Sequence, residues 1–175
     1  MRQLLLLRHA KSSWDDPTQS DHARPLNARG RTAAQAMRGV IRNLGLLPDV
    51  ILVSSARRTL QTLEALAPWD ETPLIEMMDG LYLASPERIL AVVAGVSETV
   101  RSLMIVGHNP GLHDLAVRLA GAHGVSSNGH VQALNEGFPA GALAEFSVAQ
   151  SWGELGADAG ARLVRFIRPR ELTED

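Results

Sequence analysis

The sequence of 175 residues predicts an α/β fold, a three-layer α/β/α sandwich around a mostly parallel central sheet. The order of its segments leads to this prediction. Short apolar segments alternate with amphipathic helical segments, an order typical of parallel sheets with helices on both faces. In addition, the sequence contains neither an internal repeat nor a linker, so residues 1–175 are expected to form a single domain.

The N-terminal half supplies two strands and two helices. Leu4–Leu7 is an uninterrupted apolar run, typical of a buried strand. The spacing of apolar residues predicts a helix over 28–44. Residues 49–55, DVILVSS, are rich in β-branched side chains and predict the second strand, and a helix is predicted over 56–67.

The C-terminal half continues the alternation. Residues 72–77, TPLIEM, predict a short strand. Ser85 and Pro86 predict the N-cap and first residue of a helix, and Asn109 is predicted to cap another. The first of these helices is predicted to extend to residue 95, and the second to run from Pro110 to Gly121. Strands are predicted at 102–107 and near 142–148 and 162–168.

The segment 121–141 is rich in Gly, Ser and Asn and is predicted to be a long loop. A loop of that length in a compact domain is either functional or mobile. A lid over a site and a mobile surface loop are therefore both open interpretations.

Composition excludes several classes of protein. The net charge of −2 argues against a partner that is a nucleic acid or a membrane surface. The absence of cysteine excludes disulfides and zinc–thiolate sites, and is typical of a reducing compartment. The apolar run in residues 1–7 is too short to span a membrane and lacks a cleavage site. We expect a cytoplasmic monomer.

Basic and imidazole side chains follow three of the predicted strands. Arg8 and His9 follow the first, Arg57 and Arg58 the second, and His108 the strand at residues 102–107. Ligands of open α/β sheets bind beyond the carboxyl ends of the strands. Both arginines of the second group fall in the first turn of a helix, where positive charge is unfavourable unless an anion binds there. The three strand ends together predict a pocket for phosphate or sulfate.

Phosphoryl transfer explains these residue types. The guanidinium fork of arginine matches pairs of phosphate oxygens. A neutral imidazole can attack phosphorus and hold the phosphoryl group covalently, and a second histidine can stabilise the developing charge.

Other site chemistries lack their signatures. His108 and His113 are five residues apart on a predicted helix and point in different directions, and no H-E-x-x-H motif occurs. No G-x-S-x-G elbow is present, and GHNPG does not match the dinucleotide-binding fingerprint. We therefore expect neither a metal nor another cofactor.

Several segments carry a resemblance to a known family. LLLLRHAKSSW, VSSARRTLQT and IVGHNPGL are similar to the three ordered motifs of the histidine phosphatase superfamily, whose fold is called phosphoglycerate mutase-like. RPLNARGRTAAQA resembles the stretch after the first motif, and FPAGALAEF extends the match into the late strands. The short chain, RHAKSSW and GHNPGL resemble the SixA-like branch of phosphohistidine phosphatases.

The resemblance implies roles for individual residues. His9 would be the nucleophile that becomes phosphorylated. Arg8 and Arg58 would bind the phosphoryl oxygens, and His108 would complete the pocket. Arg57 is one residue early for the motif and is expected at the rim or in a salt bridge.

Further candidates lie beside these. Lys11 and Ser12 lie where the loop after His9 passes the pocket, so either could bind substrate or simply be exposed to solvent in that loop. Trp14 is expected to pack against the rest of the protein. Many family members protonate the leaving group with a carboxylic acid after the second motif. Asp79, with Glu76 behind it, is the candidate here, although a surface carboxylate before a turn explains it equally well.

The resemblance implies a phosphatase that works through a phosphohistidine intermediate. No large insertion separates the motifs, which favours a phosphoryl group presented by a protein surface, such as phosphohistidine on a signalling protein. The alternatives are a phosphatase of a small phosphorylated metabolite or sugar, and a non-catalytic module that binds phosphoproteins.

Overall fold

The computed structural model describes residues 1–121, 129–156 and 160–172. Its centre is one sheet of six strands. The strands are β1 (Arg2–Arg8), β2 (Val50–Ser54), β3 (Leu74–Met78), β4 (Ser102–Gly107), β5 (Leu143–Val148) and β6 (Ala161–Ile167). Their order across the sheet is β3-β2-β4-β1-β5-β6. The predicted α/β class is confirmed.

Strands β1 to β4 run parallel, and β5 and β6 are antiparallel to their neighbours. The register pairs Arg8 with Gly107, so β1 and β4 end side by side. Because β2 is parallel to β4 and adjacent to it, the carboxyl ends of all three strands meet at one edge of the sheet. The residues that follow these strands are therefore brought together by topology.

Helices cover both faces of the sheet. They are α1 (Ala28–Asn43), α2 (Arg57–Leu66), α3 (Pro86–Ala94), α4 (Gly111–Gly121) and α5 (Gly129–Glu136). Leu5 and Leu7 of β1 pack with α1 and α2, whereas Leu4 and Leu6 pack with the other three helices. An apolar layer on each face explains why β1 is an unbroken leucine run rather than an alternating one.

The structure corrects two of the expectations about local structure. The predicted loop at 121–141 contains α5, which packs against α4 and β6 with Leu134 buried; residues 122–128 of that loop lie outside the described residues. Asn109 does not cap α4 through its side chain, because its amide nitrogen donates to the Phe138 carbonyl and its Oδ1 has no partner among the described residues. The predicted cap at Ser85 is confirmed, since its hydroxyl accepts from the Arg88 amide.

Within the described part of the chain, no helix is long and apolar enough to cross a membrane.

A close approach at Gly30 fixes the loop that follows β1. A Cβ atom on Gly30 would lie 2.1 Å from the carbonyl oxygen of Lys11. That carbonyl also accepts a hydrogen bond from the Asn27 amide, and the Asn27 side chain caps α1 at Gly30. The first turn of α1 therefore rests directly on the backbone two residues after His9.

We predict that Gly30→Ala lowers the free energy of unfolding by about 1–3 kcal/mol, because the backbone at Lys11 must move. Gly39→Ala in the same helix is the control: nothing lies within 4 Å of its added Cβ, so it should raise stability by about 1 kcal/mol. Urea unfolding measures both. A Gly30→Ala variant as stable as Gly39→Ala would contradict the close approach.

Candidate active site

A cleft of about 760 Å³ opens where β1, β2 and β4 end; we call it the strand-end cleft. Among the described residues, four cationic side chains, two carboxylates and two histidines line it. This excess of positive charge suits an anionic ligand. The side chains are Arg8, His9, Lys11, Asp15, Asp21, Arg24, Arg58 and His108.

His9 is held in one orientation at the end of β1. Its backbone amide donates to the Gly107 carbonyl at 3.1 Å. Its Nδ1 lies 2.7 Å from the carbonyl oxygen of Ala10. Because a carbonyl only accepts, we assign the ring proton to Nδ1, which leaves a lone pair on Nε2. Nε2 is therefore the nitrogen able to act as a nucleophile.

His108 stands beside His9, with the two ring centroids 5.2 Å apart. Its Nδ1 is 3.4 Å from Nη2 of Arg58, and its Nε2 is 2.7 Å from the Ser54 hydroxyl. Since the guanidinium only donates, Nδ1 accepts and Nε2 carries the proton that Ser54 receives. Both ring nitrogens are thus engaged, and binding a phosphoryl group through His108 would replace one of these bonds.

Burial and nearby positive charge keep both histidines neutral. Burial, together with the charges of Arg8 and Arg58, lowers the pKa of His9 from 6.5 to about 4. Burial lowers the pKa of His108 to about 3, with further contributions from His9 and Arg58. A neutral His9 retains the lone pair that an attack on phosphorus requires.

Arg58 is the most deeply buried cation of the strand-end cleft, with 2% of its surface exposed. It lies in the first turn of α2, which begins directly after β2. Thr62 connects this helix to the loop after β1, because its hydroxyl donates to the Arg58 carbonyl and accepts from the Ala10 amide. Thr62, the last residue of the motif VSSARRTLQT, thereby fixes the backbone of Arg58 relative to the backbone that follows His9.

Asp21 is a residue of the site that the sequence analysis missed. Arg58 donates to its carbonyl from Nη1 at 2.7 Å and to its carboxylate from Nη2 at 3.0 Å. Arg24 and the Tyr82 hydroxyl also donate to this carboxylate. The hydrogen bond from Tyr82 and the contacts with both arginines lower the pKa of Asp21 to about 2. Asp21 is therefore ionised at neutral pH.

Asp79 and Glu76, the predicted acid candidates, are not among the residues that line the strand-end cleft. Both are exposed, because β3 is the edge strand and the following 3₁₀ turn directs Leu81 into the core. The same segment instead brings Tyr82 to the site, with its ring centroid 5.4 Å from that of His108. The segment predicted to carry the acid therefore places Tyr82 beside His108, whereas Asp79 and Glu76 lie at the surface.

Arg8 is anchored by the segment that precedes β5. Its Nη1 donates to the Phe138 carbonyl at 3.0 Å. The same carbonyl also accepts a hydrogen bond from the side-chain amide of Asn109 at 2.8 Å. The Nε–H groups of Arg8 and Arg58 are buried and have no partner among the described residues. Phosphoryl oxygens are acceptors of the kind that such unpaired guanidinium donors require.

The remaining predicted residues divide between the cleft and the surface. Lys11 and Ser12 line the cleft, and the Ser12 hydroxyl accepts from Arg24 at 2.7 Å. Arg57 is exposed and is not a lining residue. The expectation that Trp14 packs is wrong: it is 76% exposed, and the Arg24 guanidinium lies over its ring at 3.5 Å.

No three His, Asp or Glu side chains of the described residues are grouped so as to hold a metal ion.

Comparisons with known proteins identify the family of this chain. The family described as histidine phosphatase superfamily (branch 1) matches residues 4–81. An uncharacterized Mycobacterium tuberculosis protein is 33% identical over 164 residues, which is 94% of this chain and 100% of that protein. An uncharacterized chloroplastic protein of Arabidopsis thaliana is 34% identical over 69% of this chain, and the match spans 60% of its length.

A solved structure is similar to this chain in both fold and sequence. The protein from Nakamurella multipartitia, provisionally assigned as the phosphohistidine phosphatase SixA, is 31% identical with a TM-score of 0.83, over 96% of both chains. The chain belongs to branch 1 of the histidine phosphatase superfamily and has the phosphoglycerate mutase-like fold.

We predict that Arg58→Lys lowers kcat by roughly 100- to 1000-fold, because lysine keeps the charge but loses the fork. Arg57→Lys, one residue earlier and exposed, is the matched control and should change kcat by less than about twofold, since a solvated side chain makes no contact in the transition state. Both are measured with p-nitrophenyl phosphate, and circular dichroism checks that each variant folds. A larger loss in Arg57→Lys would move the phosphoryl contact to Arg57.

The lowered pKa values of His9 and His108 predict that neither ring titrates between about pH 8 and 5. Nuclear magnetic resonance of the imidazole C–H signals measures this directly, and loss of a signal in His9→Ala or His108→Ala assigns it. The unfolded chain binds these protons near pH 6.5, whereas the folded chain does not. Stability to urea should therefore fall as the pH drops from about 7 towards 4. Midpoints near 6.5 would contradict the buried, neutral pair.

Proposed function

We propose that this protein is a phosphatase that removes the phosphoryl group from phosphohistidine in a protein, through a phosphorylated His9. The observation that carries the proposal is the orientation of His9. Its Nδ1 is engaged by the Ala10 carbonyl, so Nε2 is free to attack, and Arg8 and Arg58 line the same cleft.

In the first step, Nε2 of His9 attacks phosphorus and the bond from phosphorus to the substrate nitrogen breaks. Arg8 and Arg58 neutralise the phosphoryl oxygens, and they favour the transition state because their positions are fixed before substrate binds. As His9 gains its bond to phosphorus, the Ala10 carbonyl continues to hold the proton on Nδ1. The products of this step are phosphorylated His9 and the free substrate ring.

In the second step, water attacks the phosphorus of phosphorylated His9. The bond from phosphorus to Nε2 breaks, inorganic phosphate leaves, and the water protons pass to phosphate and solvent. The net reaction consumes one water and returns His9 with its lone pair on Nε2. The arginines hold the same oxygens in both steps, so no cofactor enters this scheme.

The state of Asp21 favours phosphohistidine over a phosphate ester as the substrate. An alkoxide leaving group needs a proton from a general acid. Asp21 is ionised, and burial and the Asp21 contact raise the pKa of Tyr82 above its usual value of 10. The other carboxylate of the cleft, Asp15, is exposed at its rim. A phosphohistidine ring that already carries a proton on its distal nitrogen leaves as neutral imidazole without this help.

The rim of the strand-end cleft favours a protein substrate. Trp14 and Leu83 both line the cleft, and they are 76% and 53% exposed. The stacked Arg24 guanidinium supports the Trp14 ring, and Leu83 has a φ of 49°, in the left-handed region. Exposed, supported apolar side chains beside a reactive site are typical of surfaces that contact other proteins.

We predict that a histidine-phosphorylated protein labelled on phosphorus transfers its label to His9 of this enzyme. A rapid alkaline quench, which preserves phosphohistidine, followed by mass spectrometry locates the label. His9→Ala should lose it. His113→Gln is the control, because His113 binds the Leu134 carbonyl away from the strand-end cleft and should leave labelling unchanged. Label on His9→Ala would reject the nucleophile, and turnover of sugar phosphates alone would reject phosphohistidine as the substrate.

A further inference from the structure

A second depression adjoins the strand-end cleft, and we call it the α1 groove. Its volume is about 770 Å³. The groove lies between the first half of α1 and the segments before β5 and after β6. Its uncharged lining residues include Ala28 of α1, Pro139 and Ala140 before β5, and Pro169 after β6.

The α1 groove has an apolar floor and a cationic rim. The floor consists of small side chains and prolines, which leave room for another backbone to approach closely. Of the residues that the structure describes, the charged ones lining the groove are Lys11, Arg29 and Arg170, and no described carboxylate lines it. Lys11 and Arg29 are exposed and form no ion pair with a described residue. The groove therefore complements an acidic ligand that also has apolar surface.

The α1 groove adjoins the strand-end cleft. Lys11, Pro139 and Ala140 line both, so a ligand bound at His9 can reach the groove by passing over these three residues. Each depression has the volume of an ordinary small-molecule site. A ligand that occupies both is consequently larger than a small phosphorylated metabolite, which the strand-end cleft alone would hold.

We propose that the α1 groove binds an acidic segment of the protein whose phosphohistidine is hydrolysed, and so selects the substrate. This inference rests on the proposed function and adds to it the chemistry of the partner. Carboxylates of the segment pair with Lys11 and Arg29 while its apolar atoms cover the floor. Long-range attraction by these cations also raises the rate of encounter, and salt weakens it.

The test uses two histidine-phosphorylated peptides, in which glutamates or glutamines flank the phosphohistidine, and p-nitrophenyl phosphate as a probe of the cleft alone. We expect the wild-type chain to show roughly tenfold higher kcat/KM for the glutamate peptide than for the glutamine peptide, mainly through KM. This preference should shrink as the ionic strength rises. Equal kcat/KM for the two peptides would overturn the proposed groove and leave the phosphohistidine activity standing.

Charge reversal locates the effect. Arg29→Glu should lower the ratio of kcat/KM for the glutamate peptide to that for p-nitrophenyl phosphate by roughly tenfold. Arg101→Glu is the matched control, because Arg101 is exposed just before β4, at the amino edge of the sheet, and the same charge change there should preserve the ratio. An equal fall in the two variants would mean that net charge, rather than the groove, sets the preference, and would overturn the proposal.

Two further outcomes separate the proposals. If the wild-type chain hydrolyses p-nitrophenyl phosphate but neither peptide, both the phosphohistidine function and the groove are overturned. If Arg29→Glu instead impairs only the hydrolysis of a bisphosphorylated sugar, the groove is a site for a small metabolite and the protein segment is overturned. Ala28→Trp, at an exposed position on the floor, obstructs the groove without changing its charge. It should therefore lower the ratio of kcat/KM for the glutamate peptide to that for p-nitrophenyl phosphate at high salt as well as at low salt.

Discussion

The contact between Arg58 and Asp21 is the interaction on which the rest of the site depends. A guanidinium with 2% of its surface exposed is costly unless its charge is compensated and its donors are paired. Asp21 supplies both a carboxylate and a carbonyl oxygen to the fork. Removal of the Asp21 carboxylate would leave a buried charge whose other contacts among the described residues are all uncharged: the main-chain carbonyl of residue 21 and the rings of His108 and Tyr82.

Asp21 also joins segments that are distant in the sequence. It holds Arg58 at the start of α2, accepts from Arg24 beside the loop after β1, and accepts from Tyr82 after β3. This carboxylate therefore orients the cations without neutralising the cleft, where four cationic side chains face two carboxylates. Burial, together with the surplus positive charge, lowers the pKa of His9 and keeps it neutral, and the same charge attracts phosphate, so one site provides both the nucleophile and the binding of its substrate.

Much of the site could be predicted from sequence because topology determines it. Side chains that follow neighbouring parallel strands must meet at one edge of the sheet, so Arg8, His9, Arg58 and His108 lie together. Asp21 and Tyr82 could not be predicted in this way, because they lie in 3₁₀ and extended segments whose direction depends on tertiary packing. Helix α5 was missed for a similar reason: Leu134 is its one fully buried residue, too little to give a periodic signal.

A crystal structure of the chain with vanadate would show which nitrogen attacks, because vanadate mimics the five-coordinate phosphorus of the transition state. We expect vanadium bonded to Nε2 of His9, with its oxygens accepting hydrogen bonds from Arg8 and Arg58 and the Nδ1 proton still donated to the Ala10 carbonyl. Vanadate bonded to Nδ1, or bound in the strand-end cleft without contact to His9, would contradict the proposed nucleophile and the orientation of its ring.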